Sequence, residues 1–550
     1  MQTVSENWKE AHRQTLLNES FVEVSLNIAD PDALAGISSS QDNGAIYISD
    51  SSKLANGVDK TPTPYCTLEQ NLWCLDGSRK AIPESDFGDA SYVSDVLSDD
   101  TCIFSTKIPT ITIQFERVFS KLIPGITIIW SDIYGEFADT FKVIAYNGET
   151  IVAEKEVTGN RSVKTIIQTD IINYDRIVIL IKKWCLPNHR ARVEEIFVGL
   201  NRIYGKTDLF DYSHTQSVDP ISTNLPKAEI KFSIDNSSGE YNPYNTDGMS
   251  KYLTERQEIT ARYGLKMNDG SIEWVKGGTF YLSEWYAKQN SMSAEFTARD
   301  MFEFLSDIYH DTVTTITERS LAELAIDILR TSAIPTNSDG SPKWVVDEVL
   351  ASIYTTAPLP EDTRANCLQL IANAGGCVLY QDRDGVLHLE PLKGSETDTT
   401  NDTDYKIDSF NSYSKSEITL SKPIKEVRVK VYGYTMGDKG IESTNTEVVT
   451  EVGATGEIIT IDNPLITYQK ESDNPNDPYR GSVIGQWIAR HLGHRMTLDS
   501  SWRADVRLDA LDIVKNVNDY KTNRVRMTEV DFKFNGAFRA SGKGKVIGDG

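Results

Sequence analysis

The chain has 550 residues, 39% apolar and 25% charged, with a formal charge of −24. This is the composition of a folded soluble protein, and the length predicts about three or four domains. The acidic balance disfavours a protein that grips nucleic-acid phosphates, and no apolar run approaches the roughly 18 residues needed to span a bilayer.

The first segment, "MQTVSENWKEAHRQTLLNES", reads as a polar helix without the apolar core of a signal peptide, which predicts synthesis and folding in a cytoplasm. Val22, Val24, Leu26 and Ile28 then alternate as one face of a strand. From about residue 62 to 199 the texture changes to short strands ("TITIQF", "ITIIW", "FKVIAY", "IVAEKEV", "RIVILIKKW") separated by polar or glycine turns, the pattern of an antiparallel sandwich. Alternation resumes with Ala228, Ile230, Phe232 and Ile234, and again with Met292, Ala294, Phe296 and Ala298. The strands at 21–28 and from 228 onward read as one barrel cut in two, so 62–200 is an inserted domain.

Helical signals are few. Ser320 and Glu323 form a capping box ahead of Leu321, Leu324, Ala325, Ile328 and Leu329 at helical spacing. "TRANCLQLIANAGG" predicts a second helix stopped by Gly375 and Gly376, and "CVLYQDRDGVLHLEP" a strand, a turn and a strand. Val427, Val429 and Val431 alternate with charged residues, and "SVIGQWIARHLGHRM" puts Ile484, Trp487, Ile488 and Leu492 on one helical stripe. Residues 394–405 and 471–478 read as linker and surface loop.

The stretch "FSIDNSSGEYNPYN" (232–245) resembles a calcium loop in composition only. Counted from Asp235, position 5 is Gly239, position 6 is Glu240 and position 12 is Thr246, where an EF-hand needs a ligand, a glycine and a glutamate. It reads instead as a turn at Asn236–Gly239, and Asp382 and Asp384 in "DRDG" read as a hairpin turn. The six cysteines (Cys66, Cys74, Cys102, Cys185, Cys367, Cys377) have no CxxC spacing, so free thiols are expected rather than zinc ligands or disulfides. His491 and His494 read as a core or interface pair rather than a metal site, and Cys367 as a buried helix residue rather than a nucleophile partnered by His388. There is no GxSxG, Walker or GxGxxG motif. Neither a catalytic centre, a metal nor a cofactor is expected.

Within the insert, "KKWCLPNHRARVEEI" gathers Trp184, His189, Arg190 and Arg192 after a strand. Such groups on a sandwich loop can stack on and hydrogen-bond a sugar, which makes them candidate carbohydrate-binding residues. In the stronger, packing reading Trp184 plugs the sandwich and the arginines pair with Glu194 or Glu195.

Three stretches carry a family resemblance. The segment "KAEIKFSIDNSSGEYNPYN…ERQEITARYGLKMNDGSIEWVKGGTFYLSEWYAKQNSMSAEFTARDMFEFL" resembles the first barrel of tail-tip or baseplate hub proteins of tailed bacteriophages and phage-derived particles. "SLAELAIDILR…NCLQLIANAGGCVLYQDRDGVLHLEPL" resembles the α/β domain that follows in those hubs, and "WRADVRLDALDIV…VRMTEVDFKFNGAFRASGKG" their closing barrel. The insert, from near "LEQNLWCLDGS" to "ARVEEIFVGL", is similar to galactose-binding-like jelly rolls of the discoidin type.

The resemblance implies a mainly β protein with an α+β part. Its units are an N-terminal helix and first part of barrel 1 (1–61), the inserted β-sandwich (62–200), the remainder of barrel 1 (201–310), an α/β domain (311–395), and barrel 2 with a helix at 481–495 (396–550). It further implies a non-enzymatic virion structural protein, a homotrimer in which two tail-tube-like barrels per chain build a ring of six and leave a channel for DNA. Expected partners are a tail-tube or distal tail protein above, a spike, fibre or tape-measure protein at the tip, and a host glycan on the insert. The alternative is a receptor-binding tail protein acting through the insert. A cell-wall hydrolase is not expected, because the chain stops at "GKGKVIGDG" directly after the last barrel.

Overall fold

The computed structural model describes residues 1–14, 18–29, 36–46, 49–51, 54–55, 67, 69, 72, 91–120, 122–245, 248–288, 291–311, 315–337, 340–395, 398–438, 440–468, 480–503 and 505–549. The protein is mainly β, with a smaller α+β part. The polar N-terminal segment forms helix α1 (Glu6–His12), capped by Ser5, with Trp8 and Ala11 turned into the core.

The alternating segments pair as their patterns require. Ser20–Ala29 lies between Gly199–Tyr204 and Glu258–Lys266, so the chain leaves the first barrel before the insert and re-enters beside the same strand. Onward from Glu258–Lys266 come Ile272–Ala287, Ser293–Arg299, Lys227–Asp235 and Leu209–Ser217. The inward faces carry Val22, Val24, Leu26, Ile230, Phe232, Ile234 and Phe296, all buried. Phe232 and Phe296 are cross-strand partners with stacked rings 5.1 Å apart. Each such side chain contributes roughly 1.5–3 kcal/mol on burial. Met292 departs from the expected alternation: it precedes Ser293–Arg299 and is 70% exposed.

The sheet does not stop at the first barrel. Leu209–Ser217 pairs antiparallel with Thr522–Phe534, from Tyr212 opposite Phe534 to Ser217 opposite Glu529. Phe538–Asp549, Met496–Trp502 and Glu417–Leu420 continue it through the second barrel. Both barrels therefore share one sheet and one hydrophobic core, with Tyr212, Tyr263, Phe532 and Trp502 in the same cluster.

The α/β region follows its local signals. Helix α2 (Leu321–Arg330) has the capping box of Ser320 and Glu323. Helix α3 (Arg364–Gly375) is capped by Thr363 and ends at Gly376, whose φ of 66° is a left-handed conformation that suits glycine. Cys367 lies buried within α3. Three strands and a helix between the strands of the second barrel stand apart from it. Ile424–Gly437, Gly440–Glu451 and Glu457–Ile461 form a separate three-stranded sheet under helix α4 (Arg480–Gly493). Val427, Val429, Val431, Ile484 and Ile488 share a core with Leu321, Ile328, Leu368 and Ile371 of α2 and α3. The apolar face of that sheet thus buries against the α/β domain.

The insert is a β-sandwich with its own core. A five-stranded sheet (Ile37–Asp42, Thr110–Phe119, Tyr174–Trp184, Ala138–Asn147, Thr150–Val157) faces a three-stranded one (Glu195–Phe197, Ile123–Ile129, Lys164–Ile171). Ile111, Ile113, Phe141, Val143, Ile177 and Ile179 meet Ile126, Ile128, Ile167 and Ile196 between them. The sandwich begins at Ile37–Asp42, upstream of the boundary expected at residue 62, because that strand pairs with Thr110–Phe119. Residue 62 itself and most of "LEQNLWCLDGS" lie outside the described residues. The sandwich is tied to the first barrel where Thr127 Oγ1 donates to the Gly199 carbonyl at 3.1 Å and the Tyr252 hydroxyl donates to Asp170.

Among the described residues no helix is long and apolar enough to cross a membrane. Cys102, Cys185, Cys367 and Cys377 are free thiols; Cys66 and Cys74 lie outside the described residues, as does the loop 471–478.

Candidate functional site

The strongest convergence of charged side chains lies where the two barrels and the α/β domain meet. The "DRDG" segment is a hairpin turn: Asp382 N–H donates to the Val386 carbonyl at 3.0 Å, and Gly385 has φ 76°. The turn also aims Arg383, 3% exposed, into the seam between the barrels. Its Nε donates to Asp509 at 2.6 Å, Nη1 to the Lys276 carbonyl at 2.7 Å and Nη2 to the Leu508 carbonyl at 2.9 Å. One guanidinium thereby joins the α/β domain to a strand of the first barrel and a loop of the second. Asp509 also accepts from the Gln2 amide at 3.0 Å. Burial is the largest single influence and works to raise the Asp509 carboxyl; the Arg383 charge, the N-terminal ammonium and the hydrogen bonds from Gln2 and Arg383 together outweigh it and hold the group below the usual carboxylate range.

Beside this ion pair the seam is aromatic. Tyr212 and Tyr263 hydroxyls lie 2.7 Å apart, and Tyr263 also meets His214 Nδ1 at 2.8 Å. His214 is fully buried. Desolvation first, and then the Arg383 charge, push its proton affinity down to about 3, so the ring is neutral. The Arg383 guanidinium sits 5.8 Å from the Tyr263 ring centre.

A cleft of about 350 Å³ opens at this junction, lined among others by Gln216, Asp300, Tyr380, Arg383, Asp509 and Arg526. Most of its polar groups are engaged with neighbouring ones, Arg526 Nε excepted. Asp300 accepts from Ala228 N–H at 2.6 Å and Phe302 N–H at 3.2 Å, capping the turn Met301–Leu305. Desolvation raises its carboxyl to about 7. Gln381 of the α/β domain accepts from Met301 N–H at 2.6 Å and donates to the Thr279 carbonyl at 2.8 Å. Tyr380 donates to Glu390 at 2.5 Å. The arrangement performs attachment: hydrogen bonds and an ion pair of Arg383, Asp509 and Gln381 cross the boundaries between the three units. Among the described residues no group of three or more histidine, cysteine or acidic side chains is placed to hold a metal.

The four residues singled out in the insert come together, facing inward. Trp184 is fully buried and its Nε1 donates to Glu136 at 2.8 Å. His189, also buried, sets Nδ1 2.8 Å from the other Glu136 oxygen. Arg192 bonds Glu69 and lies 3.6 Å from Glu136. Arg190 is half-buried; its Nη1 donates to the Ser94 carbonyl at 2.9 Å, and its backbone N–H to Glu69 at 2.9 Å. The carboxylates that hold these arginines are Glu69 and Glu136, whereas Glu194 accepts from the Asp132 backbone at 2.9 Å. Trp184 and Trp130 pack edge to face, with centroids 6.0 Å apart, in the sandwich core.

Arg383, Asp509 and Gln2 carry no local signal of their role, because their partners are distant in sequence. Asp300 carries one: an aspartate directly before "MFEFL" is a cap in the making.

No protein-family model and no curated protein matches the chain. Solved structures similar to it include the 43 kDa tail protein of prophage MuSo2 from Shewanella oneidensis, at 12% identity over 62% of this chain and 95% of that one, with a TM-score of 0.39. A tail protein from Neisseria meningitidis matches at 13% identity over 63% and 94%, with a TM-score of 0.40. Prophage tail protein gp18 from Listeria monocytogenes matches at 11% over 63% and 91%, with a TM-score of 0.38.

Proposed function

We propose that the chain is a structural hub of a phage or phage-like tail tip or baseplate, without enzymatic activity. The observation that carries this reading is the strand pairing of Leu209–Ser217 with Thr522–Phe534, which fuses two barrels into one rigid sheet. The buried Arg383–Asp509 contact locks the α/β domain across the same seam. A body with two barrels in fixed relation suits a ring: three copies supply six barrels around a channel, matching a sixfold tube above and a threefold tip below. The sequence resemblance to hub proteins points the same way. In this reading the partners are a tail-tube or distal tail protein and a spike, fibre or tape-measure protein, and the −24 charge lets DNA pass without adhering.

The test is the native mass and negative-stain image of the purified chain. A trimer with a central hole supports the hub, and a monomer at micromolar concentration, both alone and with tail tubes, overturns it. A peptidoglycan-release assay on the same preparation should show no activity.

As a second reading, the insert contacts host carbohydrate. Its separate core and localised attachment to the first barrel favour a module with its own task. Deleting 37–198 distinguishes the two: particles that assemble but fail to adsorb assign host contact to the insert, and particles that adsorb normally remove that role.

A further inference from the structure

The sheet that joins the two barrels has two ends, and they differ. Gly199–Tyr204, at the first-barrel end, lies against the insert, where Thr127 Oγ1 donates to the Gly199 carbonyl. Glu417–Leu420, at the second-barrel end, pairs antiparallel with Met496–Trp502 and, among the described residues, with no strand on its other side. Ser421 N–H donates to the Arg495 carbonyl at 2.9 Å, one step beyond this pairing. Backbone groups in an antiparallel pair point alternately towards and away from the partner strand. Glu417 and Thr419 therefore turn theirs to Met496–Trp502, and Ile418 and Leu420 each turn an N–H and a carbonyl to the open side.

The side chains of these two residues are as exposed as their backbone. Ile418 stands opposite Leu498, and residues opposite each other share a face of the sheet. Leu498 is buried in the barrel core, so Ile418, and with it Leu420, belong to the core face of their strand. They are nevertheless 57% and 62% exposed. Beside them Lys415 bonds Asp519, which holds the turn carrying Tyr520, 94% exposed, against the start of the strand. A core-facing apolar pair on an open edge is a template for another strand. The edge is four residues long, carries Glu417 and is followed by Lys422, so an incoming strand must match its charges as well as its length.

We propose that this edge docks the same edge of a second copy of the chain, the two strands running antiparallel about a twofold axis at Thr419. In that register Ile418 exchanges two backbone hydrogen bonds with the second copy's Leu420, and Leu420 two with its Ile418, so every open group is used. The apolar side chains of both strands come together on the core side. Glu417 falls opposite Ser421 and Lys422 opposite Ser416, so no charge meets its like. With the other end of the sheet against the insert, the sheet extends from copy to copy by joining like ends. The contact is small, so the association depends on concentration. It is separate from the threefold contacts of the proposed ring and stands or falls independently of them.

The test is sedimentation velocity of the full-length chain over a range of micromolar concentrations. The wild type is expected to pass to a species of twice its starting mass as concentration rises. That doubling is read in the same way whether the starting unit is a monomer or a trimer, so it does not depend on ring formation. Ile418→Lys places a charge on the core side of the edge and should weaken the step about tenfold or more, with an unchanged melting temperature because the side chain is exposed. Thr419→Cys gives a second readout: the residue is exposed and meets its own copy across the axis. Oxidised glutathione should join the two introduced thiols as a disulfide dimer, taking up their two hydrogens and leaving as two reduced thiols; wild type treated alike controls for the native cysteines. A wild type that keeps its starting mass, a doubling unchanged in I418K, or a T419C cross-link no more abundant than in wild type overturns the proposal. A cross-link mapped from the introduced thiol to a native cysteine gives the edge a different occupant and overturns it as well.

Discussion

The Arg383 guanidinium, buried between the barrels, lies 2.6 Å from the partly buried Asp509 carboxylate, 126 residues further along the chain. Removing one partner of such a pair leaves the other charge uncompensated, which costs about 3–5 kcal/mol. Arg383→Met keeps the volume of the stem and abolishes three hydrogen bonds across two unit boundaries. We expect it to lower unfolding stability by that amount, measured by urea denaturation at pH 7. Asp509→Asn keeps an acceptor for Arg383 and should cost less. If R383M matched the wild type, the keystone role of this residue would be wrong.

Two buried groups give the stability opposite pH slopes. The folded state raises the Asp300 carboxyl from 3.8 to about 7, so between roughly pH 4 and 7 it holds a proton that the unfolded chain has lost. Stability from this group is therefore fully present below pH 4 and declines as pH rises through 7, by about 4 kcal/mol in total. His214 is displaced the other way, from 6.5 to about 3. The unfolded chain binds that proton first, so this contribution is lost as pH falls from about 6.5 towards 3. Asp300→Asn should flatten the loss between pH 5 and 7 by about 2–3 kcal/mol and leave the acid limb in place. Urea midpoints at pH 5, 6 and 7 for both chains check this, and an unchanged slope in D300N would remove Asp300 as its source.

Legibility from sequence divides along contact range. The caps at Ser320 and Thr363, the stop at Gly376, the turn at Asn236–Gly239 and the strand faces of Val22 and Phe232 are set by neighbours a few residues away, and the amino-acid pattern shows them. The "DRDG" turn was equally readable, yet its central fact was not: Arg383 finds Asp509 only after the chain has folded. The separate sheet of Ile424–Gly437, Gly440–Glu451 and Glu457–Ile461 was hidden for the same reason, because alternation of Val427, Val429 and Val431 says that a face is buried without saying against what. In the insert, Trp184, His189, Arg190 and Arg192 were legible as a cluster, while their inward direction is decided by Glu69 and Glu136, which are remote in sequence.

Glu136 accepts from Trp184 Nε1 with one oxygen and meets His189 Nδ1 with the other, in the interior of the sandwich. Glu136→Ala strands both ring nitrogens and leaves Arg192 short of one carboxylate, a loss on the order of 3 kcal/mol. Because the sandwich has its own core, the change should lower the midpoint of the insert and spare the barrels. Tryptophan fluorescence, in which Trp130 and Trp184 of that core are two of the chain's nine tryptophans, should gain a partial transition ahead of the main melt, and that step should vanish in a Trp130→Phe, Trp184→Phe background. A single unshifted transition would contradict this.

Helix α4 approaches its sheet through two glycines, and the local and tertiary effects of filling them oppose each other. Alanine in place of glycine inside a helix favours the folded state by up to about 1 kcal/mol. A Cβ at Gly481, however, would stand 2.4 Å from Val431 Cγ2, and one at Gly485 would stand 2.5 Å from Thr450 Oγ1. Neither neighbour is free to retreat: Val431 is buried in the shared core, and Thr450 lies in a strand paired to Ile424–Gly437. Overpacking of this kind costs about 1–3 kcal/mol, so the tertiary effect wins at both positions. Gly481→Ala and Gly485→Ala should each destabilise the protein by about 1–2 kcal/mol in urea titrations, after the helix gain is subtracted. Stabilisation of either variant would mean that α4 can move away from the sheet without loss, and that its packing against Val431 does not fix the helix in place.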